Sequence, residues 1–289
     1  MAKRQRTDQD SPVLQDSGST ARTRELGARL RAARQTADLR LFQSCAQLGW
    51  SDTKGSRLES GTRHASELDA KLILAVCNVP HDEREAILEL VRGGQDGCWV
   101  RPHHGLLPEA VPSVVFQQDT ANSLVFYEPK AIPPILHTTE YAELDILPRL
   151  AETEDPAPHL KARLDRNSLL FADDSPDAVF YLHERALRSL PVDIEPRAGQ
   201  LLYLAMLIGR QKPRIRIIPA RQDRPRFAEA GFQLLRFKES APVVCVAHET
   251  VTLILEGDHV PAYEAIVQEL DKIALSAPDS GDLIVSMAD

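Results

Sequence analysis

LGARLRAARQTADLRLFQSCAQLGWSDTKGSRLESGTR, Leu26 to Arg63, reads as the core of a bundle of short helices. Leu26, Leu30 and Ala33 recur at helical spacing, with Arg29, Arg31 and Arg34 on the other faces. Ala37-Asp38 breaks the pattern, because aspartate tolerates the left-handed backbone that ends a helix. A second helix follows from Leu41 to Leu48, then a tight turn at Gly49-Trp50-Ser51. Ser51 is a good N-cap for a third helix from Asp52 to about Ser60, which Gly61 stops. Beyond the quoted stretch, a fourth helix is expected over Ser66–Cys77 with Leu68, Leu72, Ile73 and Val76 inward. A fifth begins at Pro80, with Ile87, Leu88 and Val91 as its apolar face. Five short helices, the second and third joined by a glycine turn, are the layout of an all-α helix-turn-helix bundle.

Working outward, residues 1–20 are polar and predict a disordered tail, so the helical domain spans 21–92. Gly93-Gly94, Gly97, Pro102, Pro108 and Pro112 mark a linker over 93–113. Residues 114–276 read as a second, α+β domain with a small, mostly antiparallel sheet. Its expected helices are Ser113–Phe126, Thr138–Pro148, His159–Phe171, Glu195–Arg210 and Val260–Leu275. Its expected strands are Ala178–His183, Arg214–Pro219, Gly231–Lys238, Val243–His248 and Val251–Glu256. Residues 277–289 are expected to form a loose tail.

Composition bounds the function. At 43% hydrophobic and 26% charged, the chain is of the soluble globular kind. No apolar run approaches the roughly 18 residues of a membrane span, and no apolar segment follows the basic start as in a secretion signal, so a cytoplasmic protein is expected. Cys45, Cys77, Cys98 and Cys245 form no CxxC pair, which argues against structural zinc or a disulfide framework and for reduced, mostly buried thiols. The net charge of −8 is unevenly spread: Arg22–Arg63 holds nine Lys/Arg against four Asp/Glu, whereas residues 96–289 hold 19 against 29. Phosphate contact depends on the local field, since charges beyond a Debye length of about 8–10 Å are screened. A basic module ahead of an acidic body is therefore compatible with duplex DNA as a partner.

The segments Leu26-Gly27-Ala28-Arg29-Leu30-Arg31 and Leu48-Gly49-Trp50-Ser51…Lys54…Ser56-Arg57-Leu58-Glu59-Ser60-Gly61 resemble phage-repressor-like helix-turn-helix domains of the xenobiotic-response-element type. On that resemblance the third helix enters the major groove and presents Ser51, Thr53, Lys54, Ser56 and Arg57, with Arg63 just beyond. Arg57 can pair bidentately with guanine or a phosphate, Lys54 can act as a flexible point charge, and the serines can donate to phosphate oxygens. Further on, Tyr127-Glu128-Pro129-Lys130-Ala131-Ile132-Pro133-Pro134-Ile135-Leu136-His137-Thr138-Thr139-Glu140-Tyr141-Ala142 resembles the hallmark segment of a large actinobacterial regulator family that includes the WhiJ-like proteins. Tyr181-Leu182-His183-Glu184-Arg185-Ala186-Leu187-Arg188, Arg214–Pro219 and Val243–Glu249 are similar to its later motifs. The resemblance implies a helix-turn-helix followed by an antitoxin-like domain, transcription regulation, dimerisation, and often a small partner protein. Tyr127, Glu128, Tyr141, Tyr181 and Glu184 fall on these motifs and are the candidate contacts for a ligand or partner.

The chain departs from that pattern. Leu41 stands where a phosphate-contacting glutamine is usual, Ser44 where the core is aliphatic, Gly55 where the third helix carries Ile or Val, and Asp52 where a basic or amide residue is common. A glycine inside a helix costs about 1 kcal/mol against alanine, and a missing aliphatic core group about 2–4 kcal/mol. Two readings follow: a DNA-binding dimer controlled through its C-terminal domain, or a regulator-derived protein that has lost DNA binding and binds or transforms a small apolar metabolite. Walker, GxSxG, GxGxxG and HExxH patterns are absent, so no catalytic residue, cofactor or metal is assigned.

Weaker constellations have bland readings beside the functional ones. His103-His104 reads as an exposed pair rather than metal ligands. His183-Glu184 is an acid/base pair or a strand-end anchor. Trp99, Phe126, Tyr127, Phe171, Tyr181 and Tyr203 line a cavity or fill the core. The basic run from Arg210 to Arg226 meets an acidic partner or is a solvated face.

Overall fold

The computed structural model describes all residues except 1–18, 93–96, 151–154, 173, 190–193, 211, 221–229 and 289. The chain divides into two compact units, Met1–Arg92 and Gly93–Asp289. Most of the tail over 1–20 lies outside the described residues.

The first unit contains α1 (Ala21–Thr36), α2 (Leu41–Leu48), α3 (Asp52–Glu59), α4 (Glu67–Val76) and α5 (His81–Leu88). Helix α1 starts on a capping box in which Thr20 and Thr23 each accept from the other's backbone N–H (3.1 and 2.8 Å). Asp38 (φ 53°) and Gly49 (φ 67°) supply the left-handed residues that end α1 and α2. Leu26, Leu30, Cys45, Leu58, Ile73, Leu74 and Leu88 form the core. Helix α4 is rotated from the expected face: Ala70, Ile73 and Leu74 are buried, whereas Leu68 and Leu72 are exposed. The run Leu72-Ile73-Leu74 fits either face by periodicity alone, and packing against α1, α2 and α5 selects Ile73 and Leu74.

Two glycines permit close packing. A Cβ at Gly27 would stand 2.6 Å from the Leu58 carbonyl oxygen, so α1 crosses the end of α3 at backbone contact. Gly61 has φ 68° and lies equally close to the backbone of Arg24. Its carbonyl accepts from Thr23 Oγ1 at 2.9 Å. Arg34, expected on an outer face, is buried. It forks onto Glu59 (Nε–Oε1 2.6 Å, Nη2–Oε2 2.8 Å) and donates to the Leu39 carbonyl at 2.6 Å, tying α1, the following turn and α3 together.

The second unit is an α+β domain on one seven-stranded sheet, with β1 (Cys98–Pro102), β2 (Ser123–Glu128), β3 (Asp177–His183), β4 (Arg214–Ile218), β5 (Phe232–Arg236), β6 (Val243–Ala247) and β7 (Val251–Leu255) in the order β1-β7-β6-β5-β2-β3-β4. β2–β3 and β3–β4 pair in parallel and the other four neighbours antiparallel. The helices are α6 (Pro112–Thr120), α7 (Thr139–Ile146), α8 (Ala157–Asn167), α9 (Glu184–Arg188), α10 (Ile194–Gly209), α11 (Val260–Ile273) and α12 (Ala277–Ala288). One sheet face, with Val125, Tyr127, Tyr181, Phe232, Leu234 and Val244, packs on α11 through Val260, Tyr263, Ile266, Val267 and Leu270. On the other face Phe126 stacks on Phe180, ring centroids 4.6 Å apart, and Gln118 of α6 donates to Gln233 of β5.

Three expectations are corrected here. The supposed linker contains strand β1, whose Trp99 is buried; its apolar alternation is masked by the flanking prolines and glycine. The helix expected over Ser113–Phe126 ends at Thr120, and a strand follows. The run Leu124-Val125-Phe126-Tyr127 is buried on both faces of a central strand, so it shows no alternation. The tail expected to be loose is helix α12 from Ala277 to Ala288. It is held because β4 is an edge strand: Ser280 Oγ accepts from the Ile217 N–H (3.0 Å), the Leu275 N–H donates to the Ile217 carbonyl (2.9 Å), and Arg216 donates to the carbonyls of Ala274 and Leu275 at the end of α11.

Candidate nucleic-acid interface and effector cavity

Helix α3 has two distinct faces. Gly55, Leu58 and Glu59 point inward, and Asp52, Thr53, Ser56 and Arg57 are exposed. Ser51 caps the helix, its Oγ accepting from the Lys54 N–H at 3.2 Å, which leaves the hydroxyl proton free to donate. Among the described residues the side chains of Thr53, Ser56, Arg57 and Arg63 have no hydrogen-bond or ion-pair partner. Arg63 follows the Gly61 turn, its N–H on the Arg57 carbonyl at 3.1 Å. Lys54 differs from expectation. Its ammonium is 2.6 Å from Asp69 Oδ1 and 3.9 Å from the centre of the Trp50 ring, so it pins α3 to α4 instead of acting as a mobile charge. Burial opposes ionisation of Asp69, but hydrogen bonds from Lys54 and Ser66 outweigh it and hold the carboxyl below its ordinary range.

The departures at Ser44 and Gly55 are compensated locally. A Cβ at Gly55 would stand 2.4 Å from Cys45 Sγ and 3.1 Å from Leu41 Cδ1, so α2 already fills the place of the missing aliphatic group. Ser44 is fully buried and donates to the Leu41 carbonyl at 2.9 Å. The helix is regular from Asp52 to Glu59.

In the second unit the hallmark segment forms the wall of a cavity. Glu128 ends β2 and borders two spaces that also share Pro108, Arg149 and Ala247 in their linings. One, of about 720 Å³, is lined among others by His103, Leu107, Lys130, Gly231 and Glu249. The other, of about 170 Å³, is lined among others by Val114, Ile132, Pro134 and Cys245. Glu128 reaches solvent only in part, and among the described residues nothing hydrogen-bonds its carboxylate. Burial pushes its pKa up to about 7. Gly231 makes room for it, since a Cβ there would stand 2.5 Å from Glu128 Oε2.

The charges around Arg163, in the lining of the smaller space, are paired. Arg163 is buried. It donates to Glu109 from Nε (2.7 Å) and from Nη2, to Asp145 Oδ2 at 2.6 Å, and to His137 Nδ1 at 3.3 Å. His137 Nε2 faces the Ile132 carbonyl at 2.8 Å, so that nitrogen carries the proton and Nδ1 accepts from Arg163. Burial, then the Arg163 charge, pushes His137 down to about 4 and keeps it neutral. Arg149 donates to Asp145 Oδ1 at 3.2 Å. Gln200 clamps the segment from below, its amide donating to the Leu136 carbonyl and accepting from the Thr138 N–H, both at 2.8 Å.

Of the five candidate ligand or partner residues, only Glu128 borders these cavities. Tyr127 and Tyr181 lie in the core beneath α11, where the Tyr181 hydroxyl donates to Asp271 Oδ1 at 2.9 Å. Tyr141 is buried edge-on against His137. Glu184 takes the anchoring role: it accepts from the Ala220 N–H at 2.7 Å and from Arg188 Nε at 2.8 Å. Those bonds outweigh its burial and lower its pKa. His103, expected to be exposed, is buried with Nε2 3.0 Å from Thr252 Oγ1, because β1 carries it onto β7. Arg214 and Arg216 pair with Asp177 and Asp271, while Arg221, Arg224 and Arg226 lie outside the described residues. The Arg163 cluster was not read from sequence; its partners lie 18 to 54 residues from Arg163 and follow no local spacing.

A capped, solvent-facing third helix after a glycine turn defines a helix-turn-helix DNA-binding regulator, and residues 25–87 match the description of a helix-turn-helix domain. Residues 113–286, more than half of the chain, match DUF5753, a domain of unknown function, and the chain belongs to that family. No curated protein and no solved structure matches it. Among the described residues, no helix is long and apolar enough to cross a membrane and no group of His, Cys, Asp and Glu is placed to hold a metal ion.

Proposed function

We propose that the protein regulates transcription as a homodimer that inserts α3 into the major groove and is controlled by a small molecule or partner protein bound to its C-terminal domain. The observation that carries this reading is the division of α3: Gly55, Leu58 and Glu59 are buried, with Cys45 and Leu41 closing the space at Gly55, while Thr53, Ser56 and Arg57 stand outward with no partner among the described residues. Arg57 is the base- or phosphate-reading group, Ser51 and Arg63 contact the backbone, and Lys54 holds the helix in register. The similarity to xenobiotic-response-element-type and WhiJ-like regulators favours two-fold symmetric operators.

Selection of bound fragments from random DNA, followed by gel retardation, tests this. The selected site is expected to be retarded with an affinity that falls steeply with salt. Arg57→Ala should weaken it by about 1–3 kcal/mol. Failure of any duplex to be enriched, or unchanged affinity in Arg57→Ala, refutes the assignment of α3.

A further inference from the structure

We propose that the cavity beside Glu128 binds a small molecule with a protonated amine on an apolar body, and that the Glu128 carboxylate receives the amine. This rests on the reading of the C-terminal domain as a receptor. The larger space, about 720 Å³, is within the size range of small-molecule sites. In the lining of the smaller space Arg163 is neutralised by Glu109 and Asp145, and Arg149, which borders both spaces, by Asp145. Glu128 is the contrast. It is an acid set among protein atoms with no donor among the described residues, open to both spaces. A carboxylate largely withdrawn from water and without a protein donor is costly, and a ligand N–H⁺ lowers that cost through a charge-assisted bond. Glu249 on the rim adds negative potential, and Lys130 is the opposing cation. In the smaller space Val114, Ile132, Pro134 and Cys245 offer apolar contacts for the body of the ligand, beside the mutually paired Arg163, Glu109 and Asp145. Gly231 keeps the approach open, because any side chain there would press on the carboxylate.

The test uses the full-length protein with phenethylamine and isoamylamine, and with their uncharged counterparts 2-phenylethanol and isoamyl alcohol. Binding is read by calorimetry and thermal shift without DNA. The amines should bind about tenfold or more tighter than the alcohols, and Glu128→Gln should bring the two classes close to equality. Equal binding of amines and alcohols by the wild type, or undiminished selectivity in Glu128→Gln, overturns the assignment. If Glu128→Gln does not fold, Gly231→Ala, which displaces the carboxylate, should lower the selectivity; retained selectivity there counts against Glu128 equally. Gel retardation with saturating amine is a separate arm. A changed DNA affinity supports control through this cavity, whereas an unchanged one with intact amine selectivity overturns the control reading and leaves the binding site standing.

Discussion

Gly55 and Cys45 should behave as one packing unit, and a double-mutant cycle can measure it. Gly55→Ala places a methyl group 2.4 Å from Cys45 Sγ and 3.1 Å from Leu41 Cδ1, well inside contact distance. Alanine gains about 1 kcal/mol of helix propensity, against about 1–3 kcal/mol for overpacking a filled core. The single variant should therefore range from neutral to about 2 kcal/mol less stable. Cys45→Ala removes one buried atom, comparable to losing a methyl, and should cost about 0.5–1.5 kcal/mol. In the double variant the new methyl occupies the space the sulfur leaves. The clash disappears while the propensity gain remains, so the pair should be within about 1 kcal/mol of wild type, or above it, with a coupling of about 1–3 kcal/mol. Urea unfolding read by Trp50 fluorescence, in a common Trp99→Phe background, reports on this unit. Strictly additive costs, with coupling below about 0.5 kcal/mol, would show that Cys45 does not fill the place of the missing aliphatic side chain.

Gly27→Ala should be more damaging than Gly55→Ala, because its Cβ meets the Leu58 and Glu59 backbone and not a side chain that can move; a loss above about 2 kcal/mol in the same assay is expected. Arg163→Met leaves Glu109, Asp145 Oδ2 and the His137 Nδ1 without their donor, which should cost about 3–5 kcal/mol at neutral pH; unfolding followed by Trp99 fluorescence checks it. Glu128 titrates near 7 in the folded protein against an ordinary 4.5, so its protonated form is the one folding favours. Its contribution is fully present below pH 4.5 and is lost as pH rises through 7, a change of about 3 kcal/mol. Glu128→Gln should therefore gain stability relative to wild type between pH 5 and pH 8, and a pH-independent difference would refute the buried, donor-free state of this carboxyl.

What could be read from the sequence was what is local in the chain. The turn at Gly49-Trp50-Ser51, the cap by Ser51 and the stop at Gly61 depend on residues within a few positions, and they place α3 and its outward face directly. The alternation of Arg214–Ile218 works in the same way, because one short run carries the whole signal. Leu124–Tyr127 escaped for the opposite reason, since a strand buried on both faces has lost its alternation. Order in α12 depends on Ile217, some sixty positions earlier, presenting an edge that needs covering.

The same distinction explains the apparent weakness of α3. Judged position by position, Gly55 is a loss of packing and Lys54 an available charge. Both judgements change once α2 and α4 are in place, because Cys45 and Leu41 already occupy the space and Asp69 already holds the ammonium. The cavity carries this further. Glu128 stands in a recognisable motif, but what sets it apart from Tyr127 beside it is strand geometry: consecutive residues point to opposite faces of the sheet. Tyr127 therefore enters the core under α11, and Glu128 faces outward beside charges on α8, on α7 and before α6 that already neutralise one another. A motif can nominate a residue for binding; whether a charge remains free to bind depends on partners far away in the chain. Arg57 and Glu128 pass that requirement among the described residues, and Lys54 and Glu184 do not.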